Sequence, residues 1–141
     1  MLSEEFKYPI SGFESCMLSQ QSKYALKAIQ YLRTCERAEY QRVDSIAKAT
    51  GLPGPYLAKV LKPLVEAGIL VSRRGKNGGV ALVNDKGIAF FSVCRVLEDP
   101  IVVAECVLHK KECREASPCA FHEKWSATKE KLIRYLQREL L

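Results

Sequence analysis

The segment TGLPGP, at positions 50–55, limits how the middle of this chain can fold. Before it, apolar residues recur at helical spacing between Val43 and Ala47, and Gly51 suits the left-handed residue that follows a helix end. After it, Pro55 favours the first turn of a new helix. The apolar side of this second helix is formed by Leu57, Val60, Leu61 and Leu64. The pattern predicts two short helices joined by a tight turn.

A basic hairpin is predicted directly after these helices. In GILVSRRGKNGGVALVN, at positions 68–84, two apolar runs flank a basic, glycine-rich turn, which is the pattern of two short strands. Two helices with a tight turn between them, followed by a hairpin, are the order of a winged helix-turn-helix. In that arrangement the second helix enters the major groove of DNA.

The candidate DNA contacts lie on the second helix and in the hairpin turn. Early helix residues would face bases or phosphates, while basic turn residues can reach phosphates or the minor groove. The predicted DNA-binding residues are Tyr56, Lys59, Lys62, Arg73, Arg74, Lys76 and Asn77. If the helix stood alone, its lysines would be better interpreted as an ordinary solvated surface. The basic hairpin beside it makes DNA binding the better interpretation. The net charge of +6 agrees with a polyanionic partner and is weak evidence for one.

Three further helices are predicted outside this unit. One runs from about Ser19 to Cys35, with Ser19 as its N-cap, and one covers residues 89–99. The last begins near Pro118, with Ser117 as its N-cap, and continues nearly to the C-terminal end. The predicted fold class is therefore mainly α with a small β-hairpin wing.

Half of the six cysteines lie in one polar stretch, ECVLHKKECREASPCAFHEKW, at positions 105–125. No apolar run approaches the roughly 20 residues of a membrane span, and the N-terminal residues lack the features of a secretory signal. A cytoplasmic protein without a membrane partner is therefore expected, and cytoplasmic thiols are kept reduced. Metal binding or redox chemistry is favoured over disulfides for this stretch. Cys94, on an apolar helix face, is instead predicted to be a buried small side chain.

The candidate metal ligands are Cys106, Cys113, Cys119 and His122. Thiolates are soft ligands that suit zinc or iron–sulfur clusters. Cys119 and His122 are three residues apart at the predicted start of the last helix, so both side chains could face one point. The wide spacing of Cys106 and Cys113 suits a cluster better than a zinc knuckle. His109 is a weaker candidate, and free thiols in a loop are the alternative interpretation.

These motifs together resemble the winged-helix regulators of the IscR, NsrR and RirA type, the Rrf-two superfamily. The resemblance extends from Met17 to about Leu140. It rests on MLSQQSKYAL, IAKATGLPGPYLAKVLKPLVEAGIL, SRRGKNGGVAL, VCRVLEDP and the three-cysteine segment. It implies a homodimeric bacterial transcription factor that binds double-stranded operator DNA. It also implies that the last helix crosses its partner, and that Cys106, Cys113 and Cys119 ligate an iron–sulfur cluster.

The resemblance leaves the fourth ligand and the cluster type open. NsrR-like members use a carboxylate at the place held here by Lys23, which cannot take that role. IscR-like members use a histidine three residues after the last cysteine, the place of His122, and this favours a two-iron cluster (2Fe-2S). The segment LKPLVEAGILVSRRGKNGGV is closer to RirA-like iron sensors, which carry a four-iron cluster (4Fe-4S). A structural zinc site and a cluster-free regulator that uses thiol oxidation are the alternatives.

The chain is accordingly divided into four segments. Residues 1–16 are expected to be a flexible extension, residues 17–98 the DNA-binding domain, residues 99–118 the cluster-binding loop and residues 119–141 the dimerisation helix. An enzyme is not expected, because the chain has no C-x-x-C motif and no assembled nucleophile, base and orienting group.

Overall fold

The computed structural model describes residues 17–36, 39–83, 87–103, 106–108 and 110–141. The predicted N-terminal extension, residues 1–16, and the weaker ligand candidate His109 lie outside the described residues. The elements are α1 (Gln20–Thr34), α2 (Val43–Thr50), α3 (Gly54–Glu66), β1 (Leu70–Arg73), β2 (Gly79–Leu82), α4 (Phe90–Val96), α5 (Pro100–Val103) and α6 (His122–Arg138). This mainly helical fold with one two-stranded antiparallel hairpin confirms the predicted fold class.

Helices α1, α2 and α3 enclose the main hydrophobic core. Ile29, Ile46 and Leu57, one from each helix, are fully buried, and burial of each such side chain stabilises the fold by roughly 1.5–3 kcal/mol. The hydroxyl of Ser19 accepts the backbone N–H of Ser22 at 3.2 Å, which confirms Ser19 as the N-cap of α1. Gly51 ends α2 with a φ of 69°, as the TGLPGP segment predicts.

The β-hairpin is extended by one residue from the loop before α2. Strands β1 and β2 pair from Leu70 with Leu82 to Arg73 with Gly79. The backbones of Gln41 and Val80 also exchange two hydrogen bonds of 2.9 Å. A Cβ on Gly79 would overlap the carbonyl of Gln41, and its φ of 147° is itself unfavourable for other residues. The glycine therefore allows the hairpin to attach to the helical core.

The region after β2 differs from the predicted single helix over 89–99. Helix α4 ends at Val96, and Glu98, with a φ of 51°, turns the chain before a second short helix begins. Asp99 accepts the backbone N–H of Ile101 at 3.0 Å and so caps α5, which begins at Pro100. The predicted helix therefore corresponds to α4, which ends three residues early, and the acidic cap followed by proline begins α5, a helix that was not predicted.

Asp99 also joins α5 to the beginning of α1. Its Oδ2 atom accepts the backbone N–H of Ser19 at 2.8 Å, although the residue itself is completely buried. Burial alone would raise the pKa of this carboxyl. The hydroxyl of Ser22, the amide of Ile101, and the hydroxyl and amide of Ser19 together outweigh burial and lower the pKa below its usual range. Asp99 is therefore a buried carboxylate shared by the N-termini of two helices.

Helix α6 begins at His122, so the predicted start near Pro118 is wrong. Ser117 cannot act as the N-cap because its backbone N–H and C=O pair with Arg114, at 2.9 and 3.3 Å, and close a loop turn instead. At its other end α6 returns to α4, since the N–H of Phe90 donates to the carbonyl of Glu139 at 3.0 Å. Leu136 is the only residue within α6 that is buried in the described chain.

Replacing Asp99 by asparagine is expected to destabilise the protein by about 2–3 kcal/mol at neutral pH, since an amide cannot replace both charged acceptor oxygens. Because the folded pKa of Asp99 is lowered, its stabilisation is fully present above the unfolded pKa of about 4. It is lost as the pH falls through the folded pKa.

Urea unfolding of the wild type and of Asp99→Asn, repeated at several pH values, measures both effects. Asp44→Asn, in the exposed first turn of α2, is the matched control and should change stability by less than about 1 kcal/mol. An equal loss in both variants at neutral pH would show that Asp99 has no special role.

Candidate metal centre and nucleic-acid interface

Three cysteine side chains converge between α5 and α6. The Sγ atoms of Cys106, Cys113 and Cys119 all lie within 4.8 Å of one another. The Sγ atoms of Cys106 and Cys119 are 3.8 Å apart, and Nδ1 of His122 lies 3.2 Å from Sγ of Cys113. The four residues predicted as metal ligands are therefore brought together, and they are called the cysteine centre below.

Backbone turns, rather than one helix face, produce this convergence. The N–H of Cys113 donates to the carbonyl of Lys110 at 3.2 Å, and the Arg114–Ser117 pairing makes the next turn. Cys119 precedes α6, so the prediction that it lies on the first helical turn is wrong. Its carbonyl nevertheless accepts the N–H of His122 at 3.0 Å, which keeps the two residues adjacent.

The thiols of the centre differ in acidity. The amide of Lys110 is the largest influence on Cys106, and with the amide of Leu108 it lowers the pKa of that thiol against the effect of burial. At Cys113 the amide of Cys119 acts to lower the pKa, but burial and the neighbouring thiols raise it more. The neighbouring thiols thus favour ionisation of Cys106 and oppose that of Cys113, and a bound cation would favour the ionised form of each.

The centre is shielded on one side and reachable on the other. Cys106 and Cys113 are 5% and 7% exposed. An open cleft of about 480 Å³ lies beside Cys113 and Cys119, with Lys110 and Lys111 among its lining residues. A small solute can therefore reach the thiols from solution.

The other described cysteines have different surroundings. Cys94 is completely buried, which confirms the prediction of a small core side chain. Burial, and then the charge of Asp99, raise the pKa of its thiol to about 11. The Sγ of Cys35 lies 3.6 Å from the carbonyl of Tyr31, at the end of α1.

The predicted DNA-binding residues of α3 differ in how far their side chains are held by other residues. The ring of Tyr56 packs edge-on against Tyr24, with centroids 5.4 Å apart, so it is anchored to α1. Lys59 is exposed. Lys62 is exposed too, and its Nζ lies 3.8 Å from Oε1 of Glu66, a surface pair of small energy.

The remaining predicted DNA-binding residues lie at the end of β1 and in the hairpin turn. Arg73, Arg74, Lys76 and Asn77 are all exposed there. Among the described residues, the side chains of Arg74 and Lys76 have no hydrogen bond or ion pair. Since β1 packs against α3, the turn and the exposed lysines of α3 belong to one packed unit.

A family model named Rrf2 and described as an iron-dependent transcriptional regulator matches residues 18–141. The chain belongs to the Rrf2 family. The members are DNA-binding transcriptional regulators rather than enzymes, which confirms the resemblance and the expectation that the protein is not an enzyme. None of the helices among the described residues has both the length and the apolar character that crossing a membrane requires.

Individual relatives agree with this assignment. The chain is 31% identical, over 82% of both chains, to an HTH-type transcriptional regulator of Aquifex aeolicus. It is 28% identical to the HTH-type transcriptional regulator NsrR of Geobacillus kaustophilus, over 88% of both chains. The structure of CymR, the global cysteine regulator of Bacillus subtilis, superposes with a TM-score of 0.67 at 27% identity. That superposition covers 86% of this chain and 90% of CymR.

Two structurally important positions were not found from the sequence. Asp99 could have been recognised, since an aspartate followed by proline is a typical helix start. The pairing of Gln41 with Val80 has no local signal, because one isolated residue carries no strand periodicity.

Proposed function

We propose that this Rrf2-family protein is a homodimeric transcriptional repressor that senses iron, redox state or nitric oxide through an iron–sulfur cluster at the cysteine centre. The cluster ligands are Cys106, Cys113, Cys119 and His122. A cytoplasmic location, where thiols stay reduced and DNA is accessible, is part of the same proposal.

The convergence of three thiols and one imidazole supports this function most strongly. The sulfur atoms lie within 4.8 Å of one another, and His122 contacts Cys113 through Nδ1. Three thiolates and a histidine are a suitable donor set for iron–sulfur chemistry. The IscR-like position of His122 favours a two-iron cluster over a four-iron one. Such a group supplies the dependence on iron and oxidants that a sensor requires.

Asp99 connects the centre to the DNA-binding domain in this proposal. Cys106 follows α5 closely, and the first turn of α5 shares the Asp99 carboxylate with the start of α1. A ligand-dependent shift of Cys106 would therefore act on α1, which packs against α2 and α3. The expected consequence is a change in how α3 and the hairpin meet DNA.

A single zinc ion is the second candidate occupant, favoured by one distance. Two thiolates bound to one tetrahedral zinc, each about 2.3 Å from it, would be about 3.8 Å apart. The Sγ atoms of Cys106 and Cys119 are 3.8 Å apart. The same proximity would allow a disulfide after a small movement, and CymR, a structural neighbour, is a cysteine regulator. Metal content distinguishes zinc, cluster and thiol oxidation.

The proposed DNA interface consists of α3 and the hairpin turn. Lys59 and Lys62 would lie along the major groove, with Tyr56 oriented by Tyr24, while Arg74 and Lys76 reach phosphates or the minor groove. Two copies related by a two-fold axis would read half-sites about one helical turn, roughly 34 Å, or a multiple of that apart.

The exposed side of α6 supports the proposed homodimer. Tyr135 of α6 and Phe121, the N-cap residue just before it, are 58% and 53% exposed. The two are 14 residues apart, so on a 3.6-residue helix extended back to Phe121 they lie within about 40° of each other. Exposed aromatic side chains on one helix side are typical of an interface. A second copy covering this side would give the last segment, residues 119–141, its predicted role in dimerisation.

Replacing Cys106, Cys113 or Cys119 by alanine is expected to abolish cluster retention, because each removal leaves too few ligands. His122→Ala should shorten the lifetime of the cluster or change its visible absorption. Protein purified without oxygen is measured by absorption spectroscopy, with iron, sulfide and zinc determined on the same sample. Cys35→Ala is the control and should match the wild type.

Three outcomes separate the candidates. Iron and sulfide in the wild type support the cluster, and one zinc per chain without colour supports the structural zinc site. Metal-free protein after anaerobic reconstitution would contradict both and leave thiol oxidation. An unchanged spectrum and lifetime in His122→Ala would remove His122 from the ligand set.

Arg74→Gln is expected to weaken binding to all DNA sequences, because it removes a phosphate contact from each protomer. The slope of log affinity against log salt should fall by about 0.9 per contact, or about 1.8 per dimer. Fluorescence anisotropy with an operator duplex and an unrelated duplex measures this slope. Arg33→Gln, the same change at an exposed site in the last turn of α1, is the control, and an unchanged slope in Arg74→Gln would exclude Arg74 from the interface.

Tyr135→Glu is expected to convert the dimer into monomers, because it buries a charge at the proposed interface. Gln137→Glu introduces the same charge on the opposite side of α6 and should leave the dimer intact. Sedimentation equilibrium measures both. A dimer that survives Tyr135→Glu unchanged would contradict this interface.

A further inference from the structure

Arg73 and Arg74 are adjacent in sequence but have different surroundings. The guanidinium of Arg73 lies over the ring of Tyr40, with Cζ 4.2 Å from the ring centroid. Its Nη2 also donates a hydrogen bond of 2.7 Å to the backbone carbonyl of Asn77. Arg74 has neither kind of partner among the described residues. Of these two neighbouring arginines, Arg73 is therefore held by contacts within the protein and Arg74 is not.

The contacts of Arg73 close the hairpin turn. Arg73 is the last residue of β1 and pairs with Gly79, the first residue of β2, so residues 74–78 form the turn between them. Inside this turn the N–H of Gly78 donates to the carbonyl of Gly75 at 3.0 Å. The Arg73 side chain adds a second link across the turn through Asn77.

Tyr40 supplies the support on which Arg73 rests. It precedes Gln41, whose backbone is bonded in both directions to Val80 of β2. The ring is thereby fixed beside the hairpin although Tyr40 lies some thirty residues before it in the chain. A planar guanidinium can stack on a ring through its face and donate hydrogen bonds in its plane at the same time.

We infer that Tyr40 and Arg73 are positioning residues for DNA recognition: Tyr40 holds Arg73, and Arg73 holds the turn in the conformation that presents Arg74 and Lys76 to DNA. This inference rests on the proposed DNA interface. It assigns Arg73 an effect on affinity that is exerted through the shape of the turn, without a phosphate contact of its own. It also adds Tyr40, outside both predicted DNA-binding elements, to the residues that determine affinity.

Loss of the stacking partner of Arg73 should reduce the fraction of protein molecules whose hairpin turn has the conformation that binds DNA. The apparent affinity falls in proportion to that fraction, so Tyr40→Leu is expected to bind about three- to tenfold more weakly. Tyr40→Phe keeps the ring face and should bind within about twofold of the wild type. Because no charge or phosphate contact is removed, the salt slope should stay unchanged in both variants.

The experiment compares full-length wild type, Tyr40→Leu, Tyr40→Phe, Arg73→Gln and the Tyr40→Leu/Arg73→Gln double variant. The probe is a duplex selected from random sequence by the wild type, and anisotropy gives the affinity over a range of salt concentrations. Arg74→Gln is included as the reference for a direct contact. The double variant should bind about as weakly as Arg73→Gln alone, because Arg73→Gln already removes the stack on Tyr40 as well as the hydrogen bond to Asn77.

Hydrogen exchange without DNA provides an independent readout. The amide of Gly78 should exchange faster in Tyr40→Leu and Arg73→Gln than in the wild type, Tyr40→Phe or Arg74→Gln, because the turn opens more often. Equal exchange in all variants would overturn the inference whatever their affinities.

The outcomes also separate this inference from the proposed interface. If Arg73→Gln lowers the salt slope as much as Arg74→Gln and adds to Tyr40→Leu, Arg73 contacts phosphate and the inference fails while the interface stands. If Arg74→Gln itself leaves affinity and slope unchanged, the hairpin does not contact DNA, and both fail. Lower affinity at an unchanged slope, with rescue by phenylalanine, supports the inference.

Discussion

The carboxylate of Asp99 accepts backbone N–H groups at the beginnings of two helices, α1 and α5, although Asp99 and Ser19 are 80 residues apart in sequence. A fully buried carboxylate is unfavourable unless it is hydrogen-bonded, and here the surrounding hydroxyl and amide donors keep it ionised. Two helix N-termini also favour a negative charge at this point. These hydrogen bonds therefore hold the beginnings of α1 and α5 next to each other.

The cysteine centre lies between α5 and α6 in the chain. Helix α5 ends three residues before Cys106, while α6 begins at His122 and returns to α4 through the bond between Phe90 and Glu139. The loop between them has to bring Cys113 and Cys119 to the same point, and its two backbone turns do so. The elements that precede and follow the centre in the chain thus both pack against α4, and the first of them is also linked to the start of α1.

The sequence predicts those parts of the molecule that depend on local chemistry. Gly51 and the prolines around it define α2 and α3, and Ser19 caps α1 as expected. The predicted start of α6 near Pro118 was wrong. Ser117 is a good N-cap by residue type, but its backbone pairs with Arg114 in a turn. Local preference cannot reveal such competition, since the winning partner depends on how the loop folds over the cysteines.

The candidate sites show the same distinction. The four members of the cysteine centre could be predicted because ligand chemistry restricts the choice to a few residue types. Arg73 and Arg74 could not be told apart, because the difference between them lies in Tyr40, about thirty residues earlier in the chain. Positions whose role comes from long-range backbone pairing, such as Gln41 with Val80, likewise need the folded structure.

In the proposed function, occupancy of the cysteine centre controls DNA binding. Operator affinity can be measured at fixed salt for one anaerobic preparation, first with the centre loaded and then after the metal has been removed. We expect at least about a tenfold difference between the two states, within the usual range for coupled sites. Cys113→Ser treated in the same way should show no difference. Equal affinities of loaded and stripped wild-type protein would contradict the claim.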